Sequence, residues 1–94
     1  MFEVIFSKRA NETFDLIQTQ LLTRWGTGIV IKFEQRTWKI IKSISNTPYI
    51  YQSIKTNVEV RKAVIHKNCS LFYKIREKRV VILFFWDNRQ EPIL

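Results

Sequence analysis

The chain has 94 residues, 46% hydrophobic and 26% charged, with sixteen Lys and Arg against eight Asp and Glu. These figures describe one globular domain over residues 1–94 and exclude a disordered chain. A formal charge of +8 and a pI near 10.0 point to nucleic acid, an acidic protein or an anionic membrane surface as partner.

Two absences follow from residue types alone. The longest apolar run, Val80–Trp86, has seven residues, far short of the ~20 that a membrane-spanning helix needs. Cys69 is the only cysteine, so an intrachain disulfide and a cysteine-based metal site are both out of reach. "MFEVIF" is too short for a secretion signal and carries Glu3. The expectation is a cytoplasmic protein with a reduced thiol, no cofactor, no metal and no membrane partner.

"FEVIF" places Phe2, Val4 and Phe6 on one side and reads as a first strand. Ser7 is a helix N-cap. Ala10, Phe14, Ile17, Leu21 and Trp25 then recur at spacings of 4, 3, 4 and 4, one apolar stripe on a 3.6-residue period, and Gly26 ends it. A second helix starts near Thr27, after a "GTG" link. Its inner face is Ile29, Val30, Phe33, Thr37, Ile40, Ile41 and Ile44, with Lys32, Arg36, Lys39 and Lys42 around the rest. "SISNTP" stops it at Pro48.

Residues 45–58 read as a loop with Tyr49 and Tyr51 tucked against the domain. Three strands follow, about Glu59–Ile65, Cys69–Arg76 and Arg79–Trp86, joined by "HKN" and "EK" turns. The predicted fold is therefore α+β, in the order β-α-α-β-β-β, with a helical hairpin packed on one face of a small, mainly antiparallel sheet. Val80–Phe85, apolar at every position, reads as the central strand.

A hairpin covers only one face of such a sheet, so the other must be polar or covered by something else. In the middle strands Val60, Lys62 and Val64 alternate with Arg61, Ala63 and Ile65, and Ser70, Phe72, Lys74 and Arg76 with Leu71, Tyr73 and Ile75. Cations interleaved with aromatics can cradle phosphates and stack bases. They also solubilise a half-exposed sheet, a reading of equal weight. The excess charge is larger in the second half: residues 1–50 hold seven Lys/Arg and four Asp/Glu, residues 51–94 nine and four.

Catalytic groups are scarce. His66 is the only histidine and sits in a turn, Cys69 has no recognisable base, and both glycines fall in one link, so no phosphate loop exists. Cleavage of RNA at the 2′-OH would need a base, an acid and cations for the developing charge. Arg61, Lys62, Lys74, Arg76 and Arg89 are the available cations. After Tyr73 there is neither Tyr nor His.

The ordered series "MFEVIFSKRANETFDLI", "RWGTG", "SNTPYIY", "VRKAVI", "SLFYKI" and "VVILFFWDNRQEP" resembles the RelE/ParE toxins of bacterial type II toxin–antitoxin systems over essentially the whole chain. The resemblance implies a small basic toxin, neutralised by an acidic antitoxin whose C-terminal segment wraps it, and a role of the plasmid-stabilisation kind. RelE-like members cut mRNA on the ribosome without a metal, and ParE-like members inhibit DNA gyrase. By motif, Arg61 falls at the family's second-strand arginine and Arg89 near the one after the last strand, while Lys62 and Lys74 do not map.

The C-terminal "DNRQEPIL" departs from RNA-cutting members in lacking Tyr or His. Together with the long hairpin and "SNTPYIY", that favours the ParE side. The expected target-binding residues are Arg61, Lys62, Lys74, Arg76, Trp86 and Arg89. Arg61, Lys62 and Arg89 would be the catalytic set if the chain were a nuclease. Asp87 is expected to orient Arg89, and a non-toxic nucleic-acid-binding module is the reading outside the family.

Overall fold

The computed structural model describes residues 1–88. The chain runs β1 (Glu3–Phe6), α1 (Lys8–Trp25), α2 (Thr27–Asn46), β2 (Ser53–Ile54), β3 (Asn57–His66), β4 (Cys69–Arg76) and β5 (Arg79–Asp87). The sheet order is β1-β5-β4-β3-β2, with β1 parallel to β5 and the other pairs antiparallel. The α+β hairpin-on-sheet architecture is as expected.

Three local features differ. A two-residue strand, β2, lies inside the stretch read as loop. It is too short to show alternation, and it exists because it pairs with β3. Gly26 alone joins the helices, since Thr27 and Gly28 already belong to α2. Its φ of +87° is what lets one residue reverse the chain, a conformation that side chains with a Cβ rarely adopt. β5 is an interior strand between β1 and β4, and β4 takes the middle place because β2 adds a fifth strand beyond β3.

The helix boundaries have local causes. Ser7 Oγ accepts the Ala10 N–H at 3.0 Å, satisfying one of the orphan donors of the first turn of α1. At the other end the Gly26 N–H returns to the Leu22 carbonyl at 3.0 Å. The C-terminal turn of α2 is tied to the first strand. Phe2 N–H donates to the Ser45 carbonyl at 2.9 Å, and Ser45 Oγ donates to the Phe2 carbonyl at 2.8 Å.

The main core lies between the hairpin and the sheet. Ala10, Phe33, Ile41 and Ile44 from the helices meet Ala63, Leu71, Tyr73, Val80, Ile82 and Phe85. Phe14 joins both helices to the sheet, its ring 5.5 Å from that of Phe33 and 5.0 Å from that of Phe85. Trp25, the last residue of the α1 stripe, is 65% exposed and does not join the core.

One irregularity controls the sheet. Phe72 pairs with Phe84, but its neighbour Tyr73 pairs with Ile82, so Leu83 is an extra residue on β5. Such a bulge reverses the facing of every later residue on its strand. Before it, Val80 and Ile82 face the helices. After it, Phe85 faces them, and Phe84 and Trp86 face away. Helix α1 satisfies the groups that the bulge frees. Ser7 Oγ donates to the Leu83 carbonyl at 2.8 Å, and the Phe85 N–H donates to Thr13 Oγ1 at 2.9 Å.

Replacing Thr13 by Val leaves the Phe85 N–H unpaired, and the expected loss is about 1–3 kcal/mol of unfolding free energy. Thr13→Ser retains most of it. Urea denaturation measures both, and equal midpoints for Thr13→Val and the parent would show that the bulge does not need this acceptor.

Candidate target-binding surface

The face turned away from the helices is neither bare nor simply polar. Val60, Phe72 and Phe84 form a second, smaller core there, flanked by Ile54, Leu83 and Trp86. The Phe72 and Phe84 rings stack 4.8 Å apart at 21°, and Trp86 meets Phe84 edge-on at 6.1 Å. A cation closes each end of the stack. The Arg9 guanidinium lies 4.6 Å over the Phe84 ring and Lys62 Nζ 5.9 Å over Phe72. Lys74 and Arg76 continue the same face along β4.

Arg9 belongs to the first turn of α1, and nothing in its local sequence marks it as part of this surface. It gets there because β1 pairs with β5 only as far as Phe6 opposite Ile82, so α1 starts beside the bulge.

The expected site residues do not form one cluster. Lys62, Lys74, Arg76 and Trp86 share the open face. Arg61 is on the other one, directly paired with the buried Tyr73. Its Nη1 donates to the Tyr51 carbonyl at 2.6 Å, and its guanidinium lies 5.0 Å over the Tyr49 ring. Tyr73 Oη donates to the Pro48 carbonyl at 2.7 Å. Arg61 and Tyr73 thus pin the Pro48–Tyr51 connector to the sheet; of the two tyrosines expected to be tucked in, Tyr51 packs against the core, whereas Tyr49 is 64% exposed and is met only by the Arg61 guanidinium over its ring. Arg89 lies outside the described residues, and with it the expected Asp87–Arg89 pair.

The nucleophile candidates are engaged otherwise. Burial, with the Asp87 charge second, pushes the Cys69 thiol up to about 12, which leaves it without thiolate at neutral pH. His66 is exposed at the end of β3, and its Nδ1 accepts the Asn68 N–H at 3.4 Å within the turn. Burial likewise raises Tyr73 to about 12, only partly offset by the Arg61 charge. Among the described residues no group of three His, Cys, Asp or Glu could hold a metal ion, and no helix is long and apolar enough to cross a membrane.

A groove of about 770 Å³ opens at the far end of the helical hairpin, against the β3–β4 turn. Ile17, Leu21 and Phe33 give it an apolar floor. Arg24, Lys32, Arg36 and Lys67 stand around it, with Asp87 the one carboxylate among the described residues that line it.

No family model and no curated protein matches the sequence. Solved structures do match in fold. A chain of the chromosomal ParDE TA system from P. aeruginosa superposes with a TM-score of 0.78 at 16% identity, covering 93% of this chain and 96% of that one. The YoeB dimer from Staphylococcus aureus gives 0.68 at 15% identity, over 90% of this chain and 94% of that one. A copper-bound mutant toxin from Helicobacter pylori gives 0.68 at 15% identity, over 95% and 97%. The chain therefore has the RelE/ParE-type fold over nearly its whole length.

Tyr73 makes stability pH-dependent in a stated direction. Its folded pKa of about 12 lies above the ordinary 10.0, so the folded state holds the proton more tightly. The contribution is complete below pH 10 and is lost as the pH rises toward 12. Cys69 acts in the same sense from its ordinary 9.0 upward. Tyr73→Phe should flatten the fall of the urea midpoint between pH 10 and 12, at a cost of about 1 kcal/mol at neutral pH for the lost hydrogen bond. An equally steep fall in the variant would remove Tyr73 as its source.

Proposed function

We propose that the chain is the toxin of a type II toxin–antitoxin pair, that an acidic antitoxin neutralises it, and that it acts by binding DNA gyrase. The fold is shared with a ParDE TA system and with a protein described as a toxin, which supports the toxin reading. The observation that carries the mode of action is the composition of the open face. It joins an aromatic stack to Lys62, Lys74, Arg76 and Arg9, and among the described residues it has no imidazole or phenol. Tyr73, the last Tyr of the sequence, is buried on the opposite face, and His66 is in a turn. Such a surface has anchors and charges for a partner but no proton donor or acceptor suited to phosphodiester cleavage.

A second reading, ribosome-dependent mRNA cleavage, draws on the same stack, since Phe72 and Phe84 with flanking cations suit base stacking. Supercoiling by gyrase in the presence of the purified chain separates the two. Inhibition is expected, and Lys62→Glu with Lys74→Glu should weaken it by about tenfold or more, equivalent to about 1.4 kcal/mol. Unchanged supercoiling at doses that arrest growth, with new 5′ ends in translated messages, would give the function to RNA cleavage instead.

The groove at the hairpin end fits the antitoxin. Its apolar floor and cationic rim suit an acidic amphipathic segment that folds on binding. Both kinds of contact contribute, so affinity for the antitoxin should fall only partly between low and moderate salt. Calorimetry across a salt series checks this, and complete loss at moderate salt would rule out the apolar part.

A further inference from the structure

Among the described residues, the outer face of α2 is not used by the core, by the open face or by an ion pair. Lys32, Arg36, Lys39 and Lys42 are all exposed and follow one another at spacings of 4, 3 and 3, one stripe along the helix. The ion pairs Lys8–Glu12 and Arg79–Glu3 lie elsewhere, and neither involves this stripe. Glu34, the one carboxylate of α2, is half-buried and points elsewhere on the helical wheel. The four cations line a shallow trough of about 480 Å³ together with Gln35 and Trp38, the latter 53% exposed.

We infer that this stripe of α2 is a docking strip for the phosphate backbone of duplex DNA. Dimension and sign both support it. From Lys32 to Lys42 the helix rises about 15 Å at 1.5 Å per residue. A duplex strand presents a phosphate about every 3.4 Å of axis, so about four phosphates pass a strip of that length. Four cations of one sign meet that number, and Gln35 adds a neutral donor between them.

Other occupants fit less well. The apolar face of α2, with Phe33, Ile41 and Ile44, is already buried in the core and is not available to enter a bilayer. A protein interface needs an apolar, charge-poor centre. Here the centre is charged, and the apolar Ile31 and Trp38 lie along one flank. The open face differs again, since Arg9 and Lys62 are drawn over aromatic rings there. The inference concerns the isolated chain and holds whether or not gyrase is the target.

The test is fluorescence anisotropy of the full chain with a short mixed-sequence duplex over a salt series. Neutralising four phosphates predicts a slope of log K against log salt of about −3.6 or steeper. Each of Lys32→Gln, Arg36→Gln, Lys39→Gln and Lys42→Gln should lower its magnitude by about 0.9, since each removes one phosphate contact. The quadruple variant should lose duplex binding at moderate salt while keeping the parent's circular dichroism and melting. Lys74→Gln with Arg76→Gln, on the open face, should leave the slope as it was. Absence of duplex binding at low salt overturns the inference. So does a slope carried by Lys74 and Arg76. If the quadruple variant binds DNA normally but loses binding to phosphatidylserine-containing vesicles, the strip is a membrane contact and the inference falls.

Discussion

The hydrogen bonds between α1 and the bulge on β5 are the constraint on which the rest depends. Ser7 and Thr13 take up the Leu83 carbonyl and the Phe85 N–H, so the extra residue in β5 carries no unpaired cost at those two groups. If β5 were regular, Phe84 and Trp86 would fall under the helices, and Phe85 would face out. The aromatic centre of the main core, Phe14 against Phe33 and Phe85, and the Phe72–Phe84 stack on the open face are therefore two consequences of one inserted residue. The same contacts start α1 beside the bulge and so bring Arg9 over Phe84.

β4 shows what this does to the sheet. Cys69, Ser70, Leu71, Phe72 and Tyr73 are consecutive and all buried, although their side chains alternate between faces. Leu71 and Tyr73 are covered by the hairpin. Phe72 is covered by Phe84 and Val60, with the Lys62 ammonium over its ring. Ser70 Oγ is also fully buried, opposite Trp86, with no hydrogen-bond partner among the described residues. A strand with Lys74 and Arg76 in its second half thus becomes the most enclosed of the five.

How far this was legible depends on whether a residue's environment is set locally. The helices were readable because their apolar stripes repeat on the helical period, and the Ser7 cap and Gly26 stop are local devices. The facing of β3 and β4 was readable from alternation. β5 was not, because "VVILFFW" is apolar at every position and carries no period in which an inserted residue could show. Arg61 and Lys62 were grouped as neighbours of like charge, but adjacent strand residues face opposite ways, and only the paired strand shows that Arg61 meets Tyr73. Arg9 depended on where β1 ends, which no short-range pattern encodes.

The distribution of charge also has a consequence for how the surfaces interact. Lys32 and Arg36 line both the groove at the hairpin end and the trough on the outer face of α2, because they sit on the ridge between them. An acidic segment seated in the groove would pair with the same two cations that a phosphate backbone on α2 would use. Occupation of one surface would then weaken the other, and by linkage the weakening is equal in both directions. Lys39 and Lys42 lie beyond the groove, so the competition would be partial. The open face is on the other side of the sheet and shares none of these residues. A partner held in the groove would act on it only by bulk or through the sheet itself, whose middle strand is buried from Cys69 to Tyr73.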